Sequence, residues 1–343
     1  MADPSLTVVV VAHDSLSDLR RTLPLLLAEL QPSDELIIVD NDSHDDVAGA
    51  LGELAPGAKL MRLDDNVGFA AGANAGVAQA SGDLVVLLNP DAAVQPGWGR
   101  AIREPWDGPY SAWMGLVLLA DGRRINTSGG VIHFTGFGWA GQIDESRDAG
   151  PQLPTEVGFV SGSCLAIPRA TWLEVGGFPA DFFMYCEDAD LSLRLRLHGG
   201  RLAVVPEAVV HHDYTFAKGA YKWRLLERNR LAMVIRTYPT PLLLLVLPAL
   251  IAAEIGTWLV AARDGWLRAK AQSAGDVIRA LPELMTERRA IQATSRTDAA
   301  TFAESFVSGL DSPYFGGVGK QPVIRACLAA YWRFCLTVLR AVA

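Results

Sequence analysis

LTVVVVAHDSLSDLRRTLPLLLAELQPSDELIIVDNDS (residues 6–43) decides the fold. Two β-branched runs, 6–14 and 35–43, each end in polar residues, and the stretch between them carries apolar residues at helical spacing, which predicts a βαβ unit with parallel strands. A third run, DLVVLLNPDA (83–92), stops at Asp91 after a proline that cannot extend a central strand. Ligands in open α/β sheets bind beyond the carboxyl ends of the strands, so Asp14, Asp40 and Asp91 are expected to line one crevice. Asp and Asn also make turns at strand ends. Three acids on successive strands nevertheless favour a nucleotide or metal crevice.

Between the second and third runs lies DDNVGFAAGANAGVAQASGD (64–83), in which Gly68, Gly72, Gly76, Gly82, Asn66 and Asn74 allow close backbone approach to a ligand, with a helix expected over about 71–80. It is neither a Walker loop nor GxGxxG, because it lacks the GK[ST] ending and its first glycine does not follow a strand directly. Further along, VGGFPADFFMYCEDADLSLRLRLHGG (175–200) places Asp181, Glu187, Asp188 and Asp190 beside Phe182, Phe183, Met184 and Tyr185, before a helix-like run. Apolar neighbours desolvate a carboxylate and perturb its proton affinity, a mark of functional sites. The same acids also suit a helix start, with Asp188 as cap and Glu187 complementing the dipole.

Taken in order, AHD, IIVDNDS, NVGFAAGANAG, LLNPDA, VSGSCLAIPRATWLEVGGF, FFMYCEDADLSLRLRLHG and PEAVVHHDYTF resemble the family 2 glycosyltransferases, in particular their rhamnosyltransferase-like branch, over residues 6 to about 238. The resemblance implies a GT-A fold, a Rossmann-like mixed α/β sheet that binds a nucleotide-diphosphate sugar. It further implies that His13, Asp14 and Asp40 hold the donor's base and ribose, with Asn66, Gly68, Asn74 and Asn89 also on the donor. The family's Asp-x-Asp metal motif reads Asn89-Pro90-Asp91 here, which leaves one carboxylate for Mg²⁺ or Mn²⁺ and makes the donor diphosphate part of the site. Matching Pro206 and Phe216 to the family pattern puts His212 at the metal or diphosphate, with His211 as the alternative and a backbone-bonded core histidine as the plain reading of either.

Asp188 matches the family's general base. A sugar hydroxyl is a poor nucleophile, and a carboxylate within reach removes its proton as attack on the anomeric carbon develops. One base opposite one leaving group implies a single displacement with inversion. Glu187 is expected to bind acceptor hydroxyls or orient Asp188, since neighbouring residues on a helix point about 100° apart. Ser161 and Gly162 resemble the small-residue turn beneath the acceptor.

At 343 residues the chain exceeds the roughly 250 at which single cores stop growing, so a catalytic domain over 1–238 and a helical appendage over 239–343 are expected. The four cysteines show no zinc spacing and read as free thiols of a reducing compartment, and MADPSLTVVVV runs into the first strand without a cationic, cleavable signal. Residues 1–200 hold 12 Lys/Arg against 27 Asp/Glu, whereas 201–343 hold 18 against 11. The basic half contains an apolar run at 242–262, near the length of a spanning helix but interrupted by Pro248 and Glu254. In-plane or re-entrant insertion, a true span, and a buried or dimer helix all fit it. In VIRACLAAYWRFCLTVLRAVA (323–343), Arg325, Arg333 and Arg340 share an arc of about 80°, with Leu328, Trp332, Phe334 and Leu339 on the apolar side, as in an interfacial helix.

These features describe an inverting bacterial glycosyltransferase on the cytoplasmic face of the membrane, taking a nucleotide-diphosphate sugar and a lipid-linked or polysaccharide acceptor. No nucleic acid is expected, and a homodimer is compatible. The resemblance suggests dTDP-L-rhamnose, with UDP-hexose or UDP-galactofuranose fitting the same motifs. Nucleotidyl transfer calls for a basic triphosphate loop that AHDSLSD lacks. A membrane-docked sugar-nucleotide-binding scaffold is the non-enzymatic alternative.

Overall fold

The βαβ unit forms as β1 (Leu6–Ala12), α1 (Leu16–Leu27) and β2 (Glu35–Asn41), with Thr7–Ala12 in parallel register with Glu35–Asp40. The computed structural model describes residues 3–212, 219–312, 315–317, 319 and 321–342. After β2 come α2 (Val47–Leu54), β3 (Lys59–Leu63), α3 (Gly68–Ala78), β4 (Leu84–Leu88), β5 (Ala93–Val94) and α4 (Trp98–Ala101). β6 (Tyr110–Leu118), β7 (Ile125–Thr127), β8 (Gly130–Ile132), β9 (Gly138–Ala140), β10 (Thr155–Glu156), β11 (Cys164–Pro168), α5 (Arg169–Val175), α6 (Glu187–Leu197) and β12 (Arg201–His211) follow.

One sheet runs β10-β12-β6-β11-β4-β1-β2-β3. β4, β1, β2 and β3 are parallel neighbours, whereas β11 lies antiparallel between β4 and β6, so the sheet is mixed. β1 and β4 are buried throughout, which is why their sequences read as unbroken apolar runs rather than alternating ones. α3 lies on β1 and β2 through its glycines. A Cβ at Gly76 would stand 2.4 Å from Val9 Cγ1, and one at Gly72 would stand 2.9 Å from Val11 Cγ1. The glycine-rich stretch therefore brings a helix close to the sheet, where the sequence had suggested close approach of a ligand.

Of the described residues, 3–130, 140–192 and 200–212 form one compact unit, and 131–139, 193–199 and those from 219 onward form a second. The second unit contains α7 (Gly219–Thr237), α8 (Thr240–Arg263), α9 (Leu267–Ala293), α10 (Ala299–Ala303) and α11 (Pro322–Val342). The division expected at 238/239 falls inside it, between α7 and α8. Four charges knit its centre: Arg230 of α7 pairs with Glu227 and with Glu254 of α8, and Lys270 of α9 pairs with the same two acids. Burial pushes the Glu227 carboxyl up, but the two cations outweigh it and hold it at about 2. Arg288 of α9 donates to the carbonyls of Ile235 and Tyr238, satisfying the C-terminal end of α7. Trp332 of α11 stacks on Phe134 with centroids 4.9 Å apart, so this ring, expected to meet lipid, is covered by protein, whereas Phe334 stays exposed.

The candidate active site

The Asn89-Pro90-Asp91 turn at the end of β4 is held from two sides. Asn89 N–H donates to the Ser163 carbonyl at 3.2 Å, while α1 supplies Thr22 Oγ1 to the Pro90 carbonyl and Arg21 Nη2 to that of Asp91. Asp91 Oδ1 then lies 3.1 Å from His212 Nε2, and Asn89 Nδ2 is 3.4 Å from the same nitrogen. His212 is fixed through its backbone, donating to Leu118 and accepting from Asn126 Nδ2 at 2.9 Å. Side chains alternate along an extended chain, and the ring of His211 lies against Gly122 instead. Burial raises the Asp91 carboxyl, yet the hydrogen bond and charge of His212 bring it below its ordinary value. Phe216, used to set the sequence register of the histidines, lies outside the described residues.

One carboxylate and one imidazole are a donor set that Mg²⁺ or Mn²⁺ accepts only with further oxygen ligands. Among the described residues no group of three or more His, Cys, Asp or Glu could hold a metal ion. The pair thus fits a cation completed by phosphate oxygens and water.

Ser163 leads directly to the acids. Two residues before it, Ser161 Oγ is 3.0 Å from Ser163 Oγ, and between them Gly162 N–H donates to Asp188 Oδ2 at 3.1 Å. The other Asp188 oxygen accepts from Ala189 N–H at 2.7 Å. Burial raises the Asp188 carboxyl, and these two donors moderate the rise by stabilising its charged form. Glu187, at the start of α6, is 6% exposed, and its buried Oε2 has no hydrogen-bond partner. Burial, reinforced by the charge of Asp188, raises Glu187 well above the usual carboxylate range. The chain enters α6 through three non-glycine residues in the left-handed region, Phe183, Tyr185 and Cys186. Such strain persists only where surroundings enforce it. Ala70 N–H from α3 donates to the Phe183 carbonyl at 3.0 Å, and Gly68, itself at positive φ, leaves no room for a Cβ beside that carbonyl.

The residues expected on the donor form a second group at the ends of β1 and β2. His13 Nδ1 is 3.0 Å from the Asn41 carbonyl, and Asp14, at φ 50°, accepts from the His44 backbone at 2.6 Å. Asp40 is buried, accepts from Ser43 N–H and faces Arg62 at 3.6 Å. Asn66 and Asn74 are engaged within the protein: Asn66 accepts from Asn41 and Gly68, while Asn74 both donates to and accepts from the backbone of Phe178. Four residues that sequence reasoning passed over hold these groups in place. Asn41, His44 and Arg62 frame the acids of the first two strands, and Asn126 carries His212. Asn41 lies within the IIVDNDS motif and His44 directly follows it, so both were legible there; Arg62 and Asn126 carried no local signal.

The sequence matches the family described as Glycosyl transferase family 2 over residues 7–170, and Glycosyl transferase family group 2 over 149–269. Together the two span 7–269. The N-acetylglucosaminyl-diphospho-decaprenol L-rhamnosyltransferase of Mycobacterium tuberculosis is 29% identical over 242 residues, covering 62% of this chain and 78% of the relative. Among solved structures, GalNAc-T7 with UDP, GalNAc and Mn²⁺ superposes with a TM-score of 0.58 at 16% identity, over 69% of this chain and 49% of that one. Residues 1–349 of Staphylococcus aureus TarS with UDP superpose at 0.54 and 14% identity, over 99% and 92% of the two chains.

Proposed function

Because the chain belongs to the family 2 glycosyltransferases, with rhamnosyltransferase-like relatives, we propose that it transfers a single sugar, L-rhamnose first among the candidates, from a nucleotide-diphosphate donor to a lipid-linked or cell-envelope glycan. The observation that carries this reading is one hydrogen-bonded line across the sheet edge, from Asp91 and His212 through Asn89, Ser163 and Gly162 to Asp188. It supports a reading in which a base and a diphosphate-binding pair share one framework. Asp188 takes the proton of the acceptor hydroxyl, whose oxygen forms a bond to the anomeric carbon as the bond to the diphosphate oxygen breaks with its electron pair. A single displacement of this kind inverts the anomeric centre.

Asp91 and His212 are the residues that would hold Mg²⁺ or Mn²⁺, which when bound neutralises charge on the departing diphosphate. His13, Asp14, Asp40 and Asn89 are assigned to the donor. Asn66, Gly68 and Asn74 serve that site through α3 and the segment leading into α6. Ser161, Gly162 and Glu187 form the floor beneath the acceptor. The acceptor named for the mycobacterial relative is a decaprenol-linked sugar, and the two apolar helices α8 and α11 agree with work at the cytoplasmic face of a membrane. The test is release of nucleoside diphosphate by the full chain across a panel of dTDP-, UDP- and GDP-sugars, with an N-acetylglucosaminyl-diphospho-lipid acceptor and Mg²⁺ or Mn²⁺. Acceptor-dependent release from one donor is the expected result. Donor binding without release from any of them would favour a sugar-nucleotide-binding scaffold.

A further inference from the structure

Leu244, Leu247, Ile251, Ile255 and Leu259 follow one another along α8 at helical spacing, within an arc of about 120°. All five are exposed, from 46% at Leu247 to 68% at Leu259, and no polar residue interrupts the stripe. Leu242, Val246, Leu250 and Ala261, away from this arc, are buried. A contiguous aliphatic face of this length has no purpose in water.

At 24 residues, or about 36 Å, α8 is long enough to cross a bilayer. Its surroundings forbid it. Glu254, near the middle of the helix and outside the exposed arc, is bonded to Arg230 of α7 and Lys270 of α9, and both cations also hold Glu227. A crossing α8 would carry this four-charge cluster, and the charged helices that supply it, to the depth of the acyl chains. On another flank, Tyr331 of α11 donates its hydroxyl to the Leu245 carbonyl. α11 presents exposed Val323 and Phe334 together with Arg325, Arg333 and Arg340. Asp311 and Glu304 are the surface partners of Arg325 and Arg340. An aliphatic stripe beside a helix that carries arginines and an exposed aromatic ring matches the acyl chains and phosphates of an anionic leaflet, whereas a second copy would bring the same arginines against each other.

We infer that α8 lies in the plane of an anionic bilayer with its 244–259 stripe in the lipid, and that the chain attaches to one leaflet without spanning it. The inference rests on the reading of a membrane-bound acceptor, and it tells how the enzyme reaches one: both ends of α8 stay on the side that holds the donor.

The experiment uses the full chain with sealed vesicles of phosphatidylethanolamine and phosphatidylglycerol. Wild type should float with them and remain partly bound in high salt. Ile251→Asp/Ile255→Asp should weaken flotation at least tenfold, while Leu153→Asp, on an exposed loop of the other unit, leaves it unchanged. The double α8 variant, Leu153→Asp and wild type should keep equal nucleotide-sugar binding, which separates failure of this surface from failure of the catalytic reading. In a Cys327→Ser background, Pro241→Cys and, separately, Ala262→Cys should both react with an impermeant maleimide applied outside the vesicles. Labelling at only one end would mean that α8 crosses, and undiminished flotation of the double variant would place the lipid-binding face elsewhere. A wild-type chain that ignores vesicles but forms a dimer dissolved by the same double variant would assign the stripe to a second copy.

Discussion

Two adjacent carboxyls, Glu187 and Asp188, differ in what surrounds their oxygens. Asp188 receives two backbone N–H donors, which favour its charged form, whereas Glu187 has a buried oxygen with none. Of the pair, Glu187 is raised further above its ordinary value, by burial and by the charge of Asp188. This has a consequence for stability. A carboxyl whose folded value is raised contributes its stability in full below the ordinary glutamate value of about 4.3 and loses it as pH rises through the raised one. Glu187→Gln keeps the shape and removes the proton. Thermal melts of both proteins from about pH 4 upward should therefore diverge, with the variant gaining on wild type as pH increases; parallel curves across that range would mean that Glu187 ionises without cost. The density of acids at 181–190 was plain in the sequence. Which of them would be buried without a donor was not, because that depends on Gly162, which is distant along the chain.

Elements explain why some groups meet and others do not. β12 ends at His211 with His212 directly after it, and alternation along the extended backbone sends His212 to Asp91 and His211 to Gly122. His212→Ala should abolish the dependence of donor binding on Mg²⁺ or Mn²⁺, measured by titration calorimetry, whereas His211→Ala should preserve it. The opposite order would exchange their roles. The parallel strands β1, β2 and β4 were legible because each is an apolar run closed by polar residues. β11, five residues inserted antiparallel between β4 and β6, carries no pattern that fixes its direction. α3 begins at Gly68, three residues before the expected start, because Asn66 accepts from Gly68 N–H and the positive φ of Gly68 opens the helix there. Periodicity located the apolar side of α11 but could not say what covers it; Phe134 and Phe306, far away in sequence, lie against Trp332.

At the scale of the whole molecule, acidic and basic halves divide the work. The acidic half builds most of the mixed sheet and carries most of the proposed catalytic groups, while the basic half adds β12 and His212 and then builds a helical unit stabilised by four interlocked charges, with one long aliphatic face left exposed. The strand-end acids and the succession of motifs identified the first half from sequence alone. Apolar composition left three placements open for the run at 242–262, and the ion pairs of Glu254 with Arg230 and Lys270 weigh against the span. In the proposed reaction the sugar moves in one step with Asp188 as the base. The most direct measurement is the transfer rate of Asp188→Asn in the full chain, taken beside its nucleotide-sugar affinity. Affinity should be retained while transfer falls by about 10² or more, the usual scale of general base catalysis. Transfer by Asp188→Asn at close to the wild-type rate would contradict the account.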